Sequence, residues 1–67
     1  MPLIQVTLAA GRSPEQLRAL GAALTAAAQD AVGASRETIR VVISECDPEL
    51  WFAGGESLAD LRSRGDR

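Results

Sequence analysis

Histidine, lysine and tyrosine are missing altogether, and all seven positive side chains are arginines. Histidine-based triads, lysine Schiff bases, P-loops and tyrosine acids are excluded with them. Cysteine occurs once, at Cys46, so no intrachain disulfide can form, and without histidine no Cys/His cluster can hold structural zinc. No metal site is expected. Long apolar runs are missing too: the longest falls far short of the roughly 20 residues of a membrane span. The N-terminus lacks the basic region and apolar run of a signal peptide. A net charge of −2 and a pI near 4.9 leave no basic surface for neutralising phosphates. These deficits point to a cytoplasmic protein that binds neither nucleic acid nor membrane, and a single free thiol suits that reducing compartment.

What is present is hydrophobic but short. The chain has 67 residues, 46% of them hydrophobic, enough for one small domain over 1–67 and too few for a generous core. Domains this small usually rely on disulfides, metals or partner subunits. With the first two removed, an oligomer is expected.

Residues 2–9 read as a strand with Ile4, Val6 and Leu8 on one face and Leu3, Gln5 and Thr7 on the other. After the Ala10-Gly11-Arg12 loop, Ser13, Pro14 and Gln16 sit at N-cap, first-turn and capping-box positions. A helix from about residue 14 is predicted, with Leu17, Leu20, Leu24, Ala27, Ala28 and Ala31 on one stripe and Arg18, Thr25 and Gln29 off it. Gly33 suits the helix end, and Ser35–Thr38 suits a short capped turn. Residues 39–45 read as a second strand whose Ile39, Val41 and Ile43 face the helix.

The expected fold class is therefore α/β: a single β-α-β unit with parallel strands and a right-handed crossover. Beyond it, Asp47-Pro48-Glu49 signals a turn and Leu50-Trp51-Phe52 forms an apolar knot. Gly54-Gly55 signals a hairpin. The tail over 62–67 is expected to be disordered, and its Arg64-Gly65-Asp66 tripeptide is read as chance. Two such units can pair edge to edge into a four-stranded sheet, and sites would then lie between chains.

Few groups remain for chemistry. Pro2 follows Met1, and a small penultimate residue permits removal of the initiator methionine, exposing a secondary amine. The plainer explanation is a proline starting an edge strand, where its missing N–H costs nothing. Arg12 lies in the strand-to-helix loop. Arg40 shares a strand face with Val42 and Ser44, away from the helix side. Each is either a solvated charge or, in an oligomer, a guanidinium lining a cleft for carboxylate. Trp51 and Phe52 are interface packing or a dry wall beside such a site. Cys46 reads as a small packed hydrophobe, since no histidine can activate it. Glu45 and Glu56 read as exposed or paired carboxylates before acids or bases.

Met1-Pro2-Leu3-Ile4, Gly11-Arg12-Ser13, Ile39–Glu45 and Trp51-Phe52-Ala53-Gly54-Gly55 occur in one order and spacing. Together they make the chain resemble the 4-oxalocrotonate tautomerase family of the tautomerase superfamily, from Pro2 to about Leu61. The resemblance implies a β-α-β subunit assembled as a homohexamer, a trimer of dimers, and chemistry without a cofactor. It implies Pro2, freed of Met1, as general base moving a proton between oxygen and carbon of an enol or oxo (di)carboxylate such as 2-hydroxymuconate. Arg12 would hold the distal carboxylate. Arg40 would engage the 2-hydroxy or 2-oxo group and its neighbouring carboxylate, and Trp51 would keep the site apolar. An ammonium beside two arginines and an indole is destabilised by like charge and desolvation, which favours the neutral amine a base requires.

The chain departs from the family pattern at Ala9-Ala10 and at Trp51-Phe52, which bears on the substrate more than on the chemistry. Alternatives are a sister activity, namely keto–enol tautomerisation of an aryl pyruvate or hydration or dehalogenation of an acrylate. Another is a catalytically silent subunit of a hetero-oligomer.

Overall fold

The computed structural model describes residues 1–65. Strand β1 (Leu3–Ala9) leads into helix α1 (Pro14–Val32), and a 3-10 turn over Arg36–Thr38 leads into β2 (Arg40–Cys46). A second 3-10 turn, Pro48–Leu50, precedes the short strands β3 (Phe52–Ala53) and β4 (Glu56–Ser57) and helix α2 (Leu58–Ser63).

β1 and β2 pair in parallel, from Leu3 opposite Arg40 to Ala9 opposite Cys46. Alternation sorts the faces as the pattern predicts. Ile4, Val6 and Leu8 with Val41 and Ile43 are half-buried on the helix side, while Leu3, Gln5, Thr7, Arg40, Val42 and Ser44 are exposed on the other. β2 begins one residue later than expected because Ile39 closes the preceding turn, its N–H donating to the Arg36 carbonyl. Ile39 is nevertheless among the most buried side chains.

The capping box of α1 forms in full. The Gln16 N–H donates to Ser13 Oγ, and the Ser13 N–H donates to Gln16 Oε1. Gly33 ends the helix at φ 71°, a left-handed conformation in which a Cβ would be strained. The inward stripe is rotated from the alanine-based expectation. Leu17, Leu20, Gly21, Leu24, Thr25, Ala28 and Gln29 are half-buried, whereas Ala27 and Ala31 are exposed. Gly21 lies on this face beside β2: a Cβ there would make ordinary van der Waals contact with Ile43 Cδ1, at 3.8 Å. Thr25 turns its hydroxyl back onto the Gly21 carbonyl at 2.8 Å, which lets a polar residue face the sheet.

The Gly54-Gly55 hairpin forms as expected, with Phe52 opposite Ser57 and Ala53 opposite Glu56. Helix α2 was not anticipated. Ser57 caps it by accepting the Asp60 N–H, and Arg62 and Ser63 belong to it. This differs from a disordered tail from Arg62 onward. Arg64 is also engaged, in a two-pronged ion pair with Glu56 at 2.9 Å per contact. Asp66 and Arg67, and with them the end of the Arg-Gly-Asp tripeptide, lie outside the described residues.

The single chain has almost no interior. Among the described residues Ala9 and Ile39 alone form the buried apolar set and no large side chain is fully buried, while Leu50, Val32, Phe52 and Leu3 are more than half exposed. Its radius of gyration is 15.0 Å. A compact globule of this length would have about 11 Å. Its accessible surface of 4716 Å² exceeds the roughly 4,000 Å² of a folded monomer of this mass. This shape leaves much apolar surface for other chains to cover. Among the described residues no helix is long and apolar enough to cross a membrane.

Candidate active site

The four candidate residues fall into two pairs. Pro2 stands immediately before β1, half-buried, and its carbonyl accepts the backbone N–H of Arg40 at 2.9 Å. The first pair therefore meets at the start of the parallel sheet. Arg12 follows the other end, where the Ala10 N–H donates to the Cys46 carbonyl. Trp51 comes after the chain has left β2 at that same end. β1 spans roughly 20 Å at about 3.3 Å per residue, so one chain does not bring Arg12 to its own Pro2. Among the described residues no pocket closes around either pair.

Both arginines are exposed, and both are tethered. Arg12 Nη1 donates to the Ala9 carbonyl at 3.1 Å, and Arg40 Nη1 donates to the Glu37 carbonyl at 2.6 Å. Each contact reaches back three residues to a carbonyl at an element boundary, where backbone acceptors are left over. The remaining N–H groups of each guanidinium stay available for a carboxylate, which a planar fork holds bidentately. Trp51 is half-buried, its carbonyl accepting the Leu58 N–H at the base of the hairpin, whereas Phe52 beside it is exposed.

The carboxylates offer weaker acid/base candidates. Glu56 is held by Arg64, which lowers its pKa from the ordinary value, with slight desolvation opposing. A carboxylate stabilised in its charged form is a poor proton acceptor. Glu45 is exposed at the end of β2 opposite Leu8. Cys46 is half-buried and free, its thiol near the Asp47 carbonyl at 3.6 Å.

The tautomerase enzyme family model matches residues 2–61, almost the full chain and all four candidates. The chain belongs to the tautomerase family. A probable tautomerase of Ralstonia nicotianae is 49% identical over 55 residues, covering 82% of this chain and 79% of that one. Among solved structures, a 4-oxalocrotonate tautomerase homologue from the tomaymycin biosynthetic pathway is similar at 53% identity. Its TM-score is 0.90, with 92% of this chain and 95% of that one covered. A heterohexamer 4-oxalocrotonate tautomerase from Chloroflexus aurantiacus follows at 42% identity, TM-score 0.87 and coverage of 92% and 100%. The β-α-β unit with its C-terminal hairpin is thus the fold of this tautomerase family.

For a tautomerase, the separation of the two pairs is the main geometric result, and linear spacing could not reveal it. The tether between Arg40 and the Glu37 carbonyl was also missed. Ser35–Thr38 reads as a capped turn in the sequence, but nothing there indicates which side chain its last carbonyl meets.

Proposed function

We propose that this tautomerase moves a proton within a 2-hydroxy-dienoate or 2-oxo acid of the 2-hydroxymuconate type, with Pro2 as general base once Met1 is removed. The observation that carries the reading is the placement of Pro2 at the open start of the sheet, hydrogen-bonded through its carbonyl to the strand of Arg40. Arg40 stabilises the oxyanion that forms as the enol is deprotonated, and Arg12 holds a distal carboxylate. Trp51 excludes water, and with the nearby guanidinium charge it lowers the affinity of the amine for a proton. Deprotonation at oxygen and reprotonation at carbon leave electrons and atoms balanced, so the step calls for no cofactor.

The site is completed between chains. Isologous pairing of two subunits runs their sheets in opposite directions, bringing the Arg12 end of one towards the Pro2 end of the other. Edge-to-edge pairing would give a four-stranded sheet, and stacking of dimers into a homohexamer would cover the exposed apolar residues. The heterohexameric Chloroflexus relative favours a second reading of the assembly, in which this chain is one of two subunit types.

The test is a spectrophotometric screen of dienol and enol acids with protein whose free Pro2 N-terminus is verified by intact mass. Turnover of 2-hydroxymuconate supports the reading, whereas turnover of an aryl enol-pyruvate alone points to the sister keto–enol activity. A verified free proline with no turnover of any enol acid refutes it.

A further inference from the structure

Arg40 donates to a turn that two backbone hydrogen bonds and one hydroxyl close. Thr38 Oγ1 donates to the Ser35 carbonyl at 2.9 Å, and the Thr38 N–H donates to the same carbonyl at 3.1 Å. Ser35 Oγ adds a longer contact to Thr38 Oγ1 at 3.5 Å. Ser35 provides no side-chain cap for the turn, so the closing side-chain bond is that of Thr38. The turn consumes the Ser35 and Arg36 carbonyls, since Ile39 N–H takes the latter at 3.1 Å. The Glu37 carbonyl is left over at its end, and Arg40 Nη1 takes it.

We propose that Thr38 is a positioning residue for Arg40. Its hydroxyl adds a second bond to the Ser35 carbonyl and stiffens the 35–38 turn. The stiffened turn presents the Glu37 carbonyl, and that carbonyl restrains the guanidinium so that its other N–H groups form a fixed fork for the substrate. The physical basis is side-chain entropy. A free arginine samples many rotamers, and immobilising it at the moment of binding costs side-chain entropy. A tether already made in the resting protein removes part of that cost from the transition state. The buried Ile39 between Thr38 and Arg40 anchors the backbone, so a change in the turn is passed to the arginine and not absorbed elsewhere.

The inference rests on the catalytic role given to Arg40 above, and its test has one arm that does not. Thr38→Val keeps the shape and removes the hydroxyl, and Thr38→Ser restores it. In 15N NMR, rotation of the Arg40 guanidinium should be hindered in the parent and in Thr38→Ser, and fast in Thr38→Val. With an enol acid that is turned over, Thr38→Val should lower kcat roughly tenfold with a smaller change in KM. Thr38→Ser should recover activity to within about twofold, and in an Arg40→Ala background Thr38→Val should have no further effect. Equal guanidinium rotation in the parent and Thr38→Val would overturn the proposal, as would a kcat loss that persists without Arg40. Should the parent turn over no enol acid, the function above fails while the NMR arm still decides the tether.

Discussion

The backbone N–H of Arg40 donates to the carbonyl of Pro2 at 2.9 Å, so the strand carrying one candidate arginine is registered directly against the candidate base. This bond belongs to the backbone, and no substitution of the Arg40 side chain removes it. Variants at Arg40 therefore report on the guanidinium without releasing Pro2 from the sheet.

For the proline, kcat/KM should rise with pH through one ionisation lying below the roughly 7.7–8.0 of an ordinary α-amine. Retaining Met1 converts the nitrogen to an amide and should abolish turnover while circular dichroism and assembly stay unchanged. Trp51→Ala should move the ionisation upward, because water then solvates the ammonium. Full activity in Met1-retained protein would transfer the role to another group, Glu45 first.

The two arginines should separate kinetically. Arg12→Ala should raise KM for a dicarboxylate and spare a monocarboxylate, a loss of about 1.5–3 kcal/mol for one charge-assisted contact. Arg40→Ala should lower kcat as well, since its contact strengthens as the oxyanion develops. Steady-state kinetics on a matched pair of substrates checks both, and an unchanged kcat in Arg40→Ala would contradict its assignment.

Assembly is tested by native mass spectrometry, with six copies expected. The exposed Leu3, Val42 and Phe52 should become protected in hydrogen exchange and footprinting of the assembled protein. A folded, active monomer at micromolar concentration would be incompatible with a site shared between chains.

The Glu56–Arg64 pair predicts a measurable titration. Arg64 lowers the Glu56 pKa, so the folded state binds that proton less readily than the unfolded chain. The pair's contribution is thus present above the unfolded carboxylate pKa and is lost as pH falls through the lower, folded value. In an NMR titration of the side-chain carboxyl the Glu56 midpoint should lie below 4.5, and Arg64→Ala should raise it. Both groups are about half exposed, so the shift should shrink with added salt.

Much of this was legible along the chain because it depends on local rules. The Ser13–Gln16 capping box, the left-handed Gly33, the alternation in β1 and the Gly54-Gly55 hairpin each need only a few neighbouring residues to act. Helix α2 carried a comparable signal in Ser57, three residues before Asp60, but six helical residues were too few for a periodic stripe to stand out. The resemblance that named Pro2, Arg12, Arg40 and Trp51 likewise rests on order and spacing.

Tertiary structure decided the rest. Alanine-rich helices have no unique inward face, so the rotation of α1 was set by its packing on β2, where Gly21 lies beside Ile43, 22 positions away along the chain. Parallel pairing placed Pro2 with Arg40 at one end of the sheet and left Arg12 at the other, because both strands run the same way and β1 separates its two flanking residues by its own length. Residue types and their order along the chain specify which groups are available for proton transfer. Strand direction determines that one chain cannot gather them, since a rigid strand keeps its ends apart.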